Sequence, residues 1–133
     1  MWIALCFLIA GLMCRFFVIN ISLNWGNSMA PTCLDGDIVV VNRLIYWLRS
    51  PKENETVMLK DPDGIRRFLH KRVTTAKDDY CMVHGDNALN SRDSRKFGAV
   101  AKKDIVGRTE IILFSVDWAN KRLRWKRFFK RIK

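Results

Sequence analysis

Gly26-Asn27-Ser28-Met29-Ala30-Pro31-Thr32-Cys33-Leu34-Asp35-Gly36-Asp37-Ile38-Val39-Val40-Val41-Asn42 is a polar loop that runs into a Val- and Ile-rich stretch, Asp37 to Asn42. Gly, Asn, Ser and Pro punctuate the first part as a turn, while β-branched residues favour an extended strand in the second. The signature recurs downstream. Glu55 to Lys60, Ile65 to Val73, Tyr80 to His84 and Ile105 to Phe114 all read as strands. Asp61-Pro62-Asp63-Gly64 is a turn that makes a hairpin of the second and third runs, Ser50-Pro51 is another turn, and Leu44 to Leu48 is a short helical or extended connection. No long helical pattern alternates with these runs, and there is no internal repeat or low-complexity linker. The sequence predicts a small, mainly β domain.

The chain has 133 residues, 49% of them apolar, which is one domain with appendages. Its net charge of +11 invites a nucleic-acid reading, but residues 117–133 hold eight Lys or Arg against one acid, so the tail carries +7 of it. Aromatic residues interleave with charge only there, which argues against a nucleic-acid module. In the tail Trp118, Trp125, Phe129 and Ile132 fall at helical spacing with Phe128 nearby and cations on the remaining face. That is the pattern of an interfacial helix on membrane lipid; a solvated basic tail is the alternative. Four scattered cysteines make no disulfide framework, and no Cys/His spacing suggests a metal. Cys6 and Cys14 lie in the apolar N-terminus. Cys33 and Cys81 read as two buried thiols or, on an oxidising side of a membrane, as a pair.

From Trp2 to Cys14 every residue is apolar or Gly, and with Arg15 tolerated the character continues to Leu23. Thirteen helical residues rise about 20 Å, whereas the 22 from Trp2 to Leu23 would cross a hydrocarbon core of about 30 Å. Residues 1–23 are therefore expected to form a single-pass transmembrane anchor, with Arg15 snorkelling or at an interface. A cleavable secretory signal is the competing reading, against which stands the lack of a basic region before the segment. Arg15, Arg43 and Arg49 follow the segment, so charge alone would keep the following domain in the cytoplasm. Residues 24–116 form the domain, and 117–133 the tail.

Ser28 is the first residue with chemical promise, although a serine beside a Pro-Thr turn is usually a cap or turn former. Lys71 raises its standing. Period-two alternation along Ile65 to Val73 puts Lys71 on the apolar face with Leu69 and Val73, and His70 with Arg72 on the other, as surface or supporting residues. A desolvated lysine has its pKa lowered and can serve as an amine base for a hydroxyl. The bland alternative is an edge-strand lysine whose stem packs and whose head is wet. Gly85 to Arg95 is likewise either a polar surface loop or a segment whose hydroxyl orients the lysine and whose Asp-x-Arg pair stiffens it.

Together, Ser28-Met29-Ala30-Pro31-Thr32, Gly36-Asp37-Ile38-Val39-Val40, Lys71-Arg72-Val73 and Gly85-Asp86-Asn87 with Ser91-x-Asp93-Ser94-Arg95-x-Phe97-Gly98-x-Val100 resemble the type I signal peptidase family, in that order. Arg15-Phe16 also fits the family's entry into its catalytic domain. The resemblance implies a membrane-anchored Ser-Lys endopeptidase on a β-rich fold, without metal or cofactor, that removes signal or leader peptides from preproteins outside the cytoplasm. It implies Ser28 as acylated nucleophile, Lys71 as general base, Ser91 as the group orienting the Lys71 amine, and Asp93 with Arg95 and Asp86 with Arg72 as supporting pairs. The Ser28 backbone N–H would be one oxyanion donor, with Met29 and Pro31 shaping the wall and turn beside it. Two departures stand out. Gly26 occupies the place where some members carry a second oxyanion hydroxyl, and Thr74-Thr75-Ala76-Lys77-Asp78-Asp79 replaces the usual glycine and proline segment. The short span to Gly85 resembles compact members that mature one dedicated substrate, such as nickel superoxide dismutase. An inactive membrane-bound relative acting as a binding protein and an autoproteolytic Ser-Lys switch are the other readings.

Overall fold

The computed structural model describes residues 1–133 except the side chains of 15–17, so the expectations for Arg15 and Phe16 lie outside the described residues. In chain order the elements are α1 (Trp2–Phe17), β1 (Ile19–Leu23), β2 (Asp37–Asn42), α2 (Ile45–Leu48), β3 (Thr56–Lys60), β4 (Phe68–Ala76), β5 (Tyr80–His84), α3 (Ser94–Phe97), β6 (Val100–Ala101), β7 (Ile105–Asp117), β8 (Arg122–Leu123) and β9 (Lys130–Arg131). Short 3-10 turns connect several of them.

One antiparallel sheet runs in the order β1-β2-β7-β3-β4-β5-β6. The long strand β7 is its spine, pairing with β2 on one side and β3 on the other. The β3–β4 hairpin forms as the Asp-Pro-Asp-Gly turn predicts, with Thr56 opposite Arg72 and Lys60 opposite Phe68. Asp61 closes that turn by accepting from the N–H groups of Asp63 at 3.0 Å and Arg66 at 2.8 Å. The sheet curls into a half-barrel. Ser22 on β1 and His70 on β4, far apart in strand order, meet at 3.1 Å.

Alternation supplies the core. Val39 and Val41 of β2 are fully buried and pack with Met58 and Ile112, and a second cluster joins Val57, Leu59, Val73, Cys81 and Val83. Cys33 and Cys81 are both buried and free, so the pairing alternative does not hold. Burial pushes the Cys33 thiol up to about 12, with the Asp37 carboxylate adding to the effect.

The expected anchor needs correction. Its helix stops at Phe17, and Ile19–Leu23 is a strand paired with β2, from Ile19 opposite Asn42 to Leu23 opposite Ile38. Ile19-Asn20-Ile21-Ser22-Leu23 alternates with period two, and an open β2 edge offers it a partner. Sixteen helical residues rise about 24 Å, short of the roughly 30 Å of a hydrocarbon core. No helix among the described residues is long and apolar enough to cross a membrane. The apolar side chains of α1, Trp2, Ile3, Phe7 and Leu8 among them, nevertheless stand exposed.

The tail is corrected too. It forms no interfacial helix but folds back as β8 and β9 along β7, separated by a 3-10 turn at Trp125–Arg127. Two arginines draw it in. Arg124 donates to the carbonyls of Asp35 and Val116, each at 2.9 Å. Arg127 donates to the buried Asp37 carboxylate at 2.6 Å and to the Thr32 carbonyl at 2.9 Å. Burial of Asp37 without a cation would be costly, and this pairing outweighs the helical spacing of the aromatics.

Candidate active site

The loop between β1 and β2 carries Ser28, and its shape is fixed from within. Asn24, almost fully buried, donates from its side chain to the Leu34 carbonyl at 2.8 Å, and its backbone N–H donates to Asp37. The Gly26 N–H donates to the Asp35 carboxylate at 2.6 Å, and Leu34 N–H to Asp37 at 2.8 Å. Gly36 must be glycine here: its φ is +89°, and a Cβ would lie 2.1 Å from the Val116 carbonyl.

Strand β4 brings Lys71 to this loop across 43 positions of sequence. Its Nζ lies 2.7 Å from Ser28 Oγ, within direct hydrogen-bond reach, and the residue is only 2% exposed. Burial lowers the Lys71 pKa to about 8; Asp93 and Asp61 oppose that, while Arg92 and Arg66 reinforce it. An ammonium that would persist near pH 10 in water is thus an amine for part of the time at neutral pH. The Ser28 backbone N–H has no hydrogen-bond partner among the described residues.

His70 differs from expectation. It is buried, on the face opposite Lys71, with Nδ1 3.0 Å from Thr109 Oγ1 and Nε2 3.1 Å from Ser22 Oγ. Closure of the half-barrel covers both faces of β4 at this point. Burial and the neighbouring Lys71 lower its pKa to about 4, leaving a neutral ring that links β1, β4 and β7.

The segment after β5 supports Ser28 from behind. The Asn87 N–H donates to the Ser28 carbonyl at 2.9 Å. Gly85 lies so close that a Cβ would fall 2.2 Å from Ser91 Oγ and 2.4 Å from the Ser28 carbonyl oxygen, which excludes any larger residue. Asp93 holds the segment together. Its fully buried carboxylate accepts from Gly85 N–H at 2.9 Å, Ser91 Oγ at 2.6 Å, and Arg95 Nη2 at 2.7 Å. Burial alone would raise this carboxyl, but Arg95 and Ser91 together hold it well below the usual range.

Asp86 and Arg72 pair as well. The guanidinium makes two bonds of 2.7 Å to the carboxylate, which also accepts from Thr32 at 2.5 Å, so the pair reaches into the Ser28 loop. Two expected placements differ. Ser91 donates to Asp93, a stronger acceptor than an amine hydrogen-bonded to Ser28, and no bond joins it to Lys71 among the described residues. Met29 is fully buried in the protein, so it is not an open wall, and Pro31 lies in a surface cleft with Thr32, Arg72 and residues 130–133.

Sequence reading missed Asn24, Asp35 and Arg127 as parts of this site, and it placed Asn87 and Arg92 in the candidate segment without a role. The Asp-Gly-Asp run before β2 was a local signal for Asp35 and Asp37. Nothing in spacing signals Arg127, 90 residues from the carboxylate that it meets. The described residues include no group of His, Cys, Asp or Glu able to hold a metal.

Residues 1–79 and 74–114 of the chain match the family described as "Signal peptidase, peptidase S26". Signal peptidase I of Helicobacter pylori strain 26695 is 35% identical over 92 residues, and that of strain J99 is 39% identical over 92. In each case the match covers 59% of this chain and 30% of the relative, so the chain spans under a third of the relatives' length.

Proposed function

We propose, since this chain belongs to the signal peptidase family, that it is a serine endopeptidase that removes signal or leader peptides, with Ser28 as nucleophile and Lys71 as general base. The observation that carries this reading is the 2.7 Å approach of a buried lysine to an otherwise unactivated serine hydroxyl. Ser28 Oγ attacks the scissile carbonyl carbon as its proton passes to the Lys71 amine, and the carbonyl oxygen takes the negative charge. The Ser28 N–H, which has no hydrogen-bond partner among the described residues, donates to that oxyanion. Collapse of the intermediate expels the new amino terminus, which receives the proton from Lys71, and leaves an acyl ester on Ser28. Lys71 then deprotonates the water that hydrolyses the ester. Asp93 with Arg95, and Asp86 with Arg72, keep the backbone behind Ser28 in place.

Detergent-solubilised protein should cleave a leader-bearing preprotein, and Ser28→Ala should not while keeping the same circular dichroism. A well-folded parent that cleaves no such substrate, or an active Ser28→Ala variant, would overturn the reading.

On this reading the domain works on the extracytoplasmic face of a membrane, where signal peptides emerge, and membership of the family supports that location. Two surfaces support membrane contact: the exposed apolar side chains of α1, and the Phe114, Trp125, Phe128 and Phe129 aromatic cluster ringed by basic residues. Vesicle flotation should therefore carry the full chain, and Trp125→Ala with Phe129→Ala should reduce the floated fraction. Flotation that ignores both changes would remove the tail from the membrane-contact surface.

A further inference from the structure

A cleft of about 870 Å³ opens between β1 with Trp25 on one side and the β3–β4 hairpin on the other. Lys60, Arg66 and Arg67 line it, and all three are exposed. Their neighbours in sequence, Asp61 and Asp63, are both taken by Arg92. Among the described residues no carboxylate pairs with Lys60, Arg66 or Arg67; Arg67 instead lies over the Phe68 ring, 5.2 Å from its centroid. Like charges held in one cleft repel one another, and an anionic occupant would relieve that.

The cleft also reaches the chemistry. Arg66 Nη1 lies 3.9 Å from the point where a side chain on Gly26 would begin, and Gly26 is two residues before Ser28. Among the described residues strand β1 pairs with β2 alone, so its other edge offers main-chain groups to an extended peptide. Leu23 and Phe68 add apolar wall to the same cleft.

We propose that this cleft selects peptide substrates bearing carboxylate side chains near the cleaved bond, recognised by Arg66, Arg67 and Lys60. This rests on the peptidase reading above. A guanidinium matches a carboxylate in a two-pronged geometry that a neutral amide cannot exploit electrostatically. An anionic membrane surface would meet the same charges, but the concave shape and the neighbouring Gly26 favour a peptide.

The test uses leader-junction peptides identical except for Glu, Gln or Lys at one position at a time on either side of the scissile bond. At one or more positions the protein should cleave the Glu peptide about tenfold better than the Gln peptide, and the Lys peptide worst. Arg66→Gln and, separately, Arg67→Gln should collapse that Glu-to-Gln ratio towards one. Both side chains are exposed, so folding is expected to survive. Fluorescence anisotropy with Ser28→Ala protein should give the same order of affinities, weakening with salt.

Equal cleavage of all three peptides at every position overturns the selectivity and leaves the peptidase reading intact. Selective Glu binding by the Ser28→Ala protein, with no cleavage by the parent, supports the cleft and removes the peptidase reading. If Arg66→Gln and Arg67→Gln keep the peptide preference but lose binding to vesicles rich in anionic lipid, the cations face a membrane and the proposal fails.

Discussion

Lys71→Ala is expected to lower kcat/KM for a leader peptide by at least about 10³-fold, because among the described residues no other base is hydrogen-bonded to the Ser28 hydroxyl. The neighbouring His70 is turned to the opposite face of the strand and bonded to Ser22 and Thr109. Alanine also leaves a cavity at a position only 2% exposed, so activity and folding must be separated. Lys71→Met does this, since it keeps most of the volume and removes the amine. The Met protein should unfold at or above the parent's denaturant midpoint and be as inactive as the Ala protein, because a buried amine that faces no carboxylate ion-pair partner among the described residues has been replaced by an apolar group. Arginine should fail too, since its guanidinium stays protonated. Residual activity in Lys71→Met within tenfold of the parent would remove lysine from the mechanism.

Asp93→Ala should be the most destabilising single change near the site, costing about 3–5 kcal/mol in denaturant unfolding. The carboxylate is fully buried and gathers Gly85, Ser91 and Arg95 onto one group. Without it the Gly85–Asn87 backbone loses its anchor, and with it the Asn87 donor to the Ser28 carbonyl. Activity should therefore fall even where the protein remains folded. Ser91→Ala removes one of these donors and should cost less in both measurements. If Asp93→Ala unfolded at the parent's midpoint, the segment would be held by something other than this carboxylate.

The β character was legible because the Val- and Ile-rich run Asp37–Asn42 and the run Tyr80–His84 are strands at the same bounds. Ile19–Leu23 was misread because its five residues continue an apolar run whose overall length suits a membrane span. Only pairing with β2, a contact across the chain, separates the two readings. The tail was misread for a related reason. Its aromatics do fall at helical spacing, but Arg124 and Arg127 bond to groups about 90 positions away, and those bonds hold it extended.

The candidate site was legible where residues of special chemistry occur in blocks, as with Ser28, Lys71, Asp86 and Asp93. It was illegible where backbone groups or single distant side chains do the holding, as with Asn87 and Arg127. The burial of His70 depends on curvature of the whole sheet, which no local alternation encodes.

The dependence of kcat/KM on pH, measured with the solubilised parent between pH 6 and 10 on an uncharged leader peptide, tests the Ser28–Lys71 pairing most directly. Lys71 acts as an amine, so protonation inactivates it: activity should plateau above a pKa of about 8 and fall tenfold per pH unit below it. A profile flat across the range, or one with its inflection near the 6.5 of an ordinary imidazole, would contradict the account.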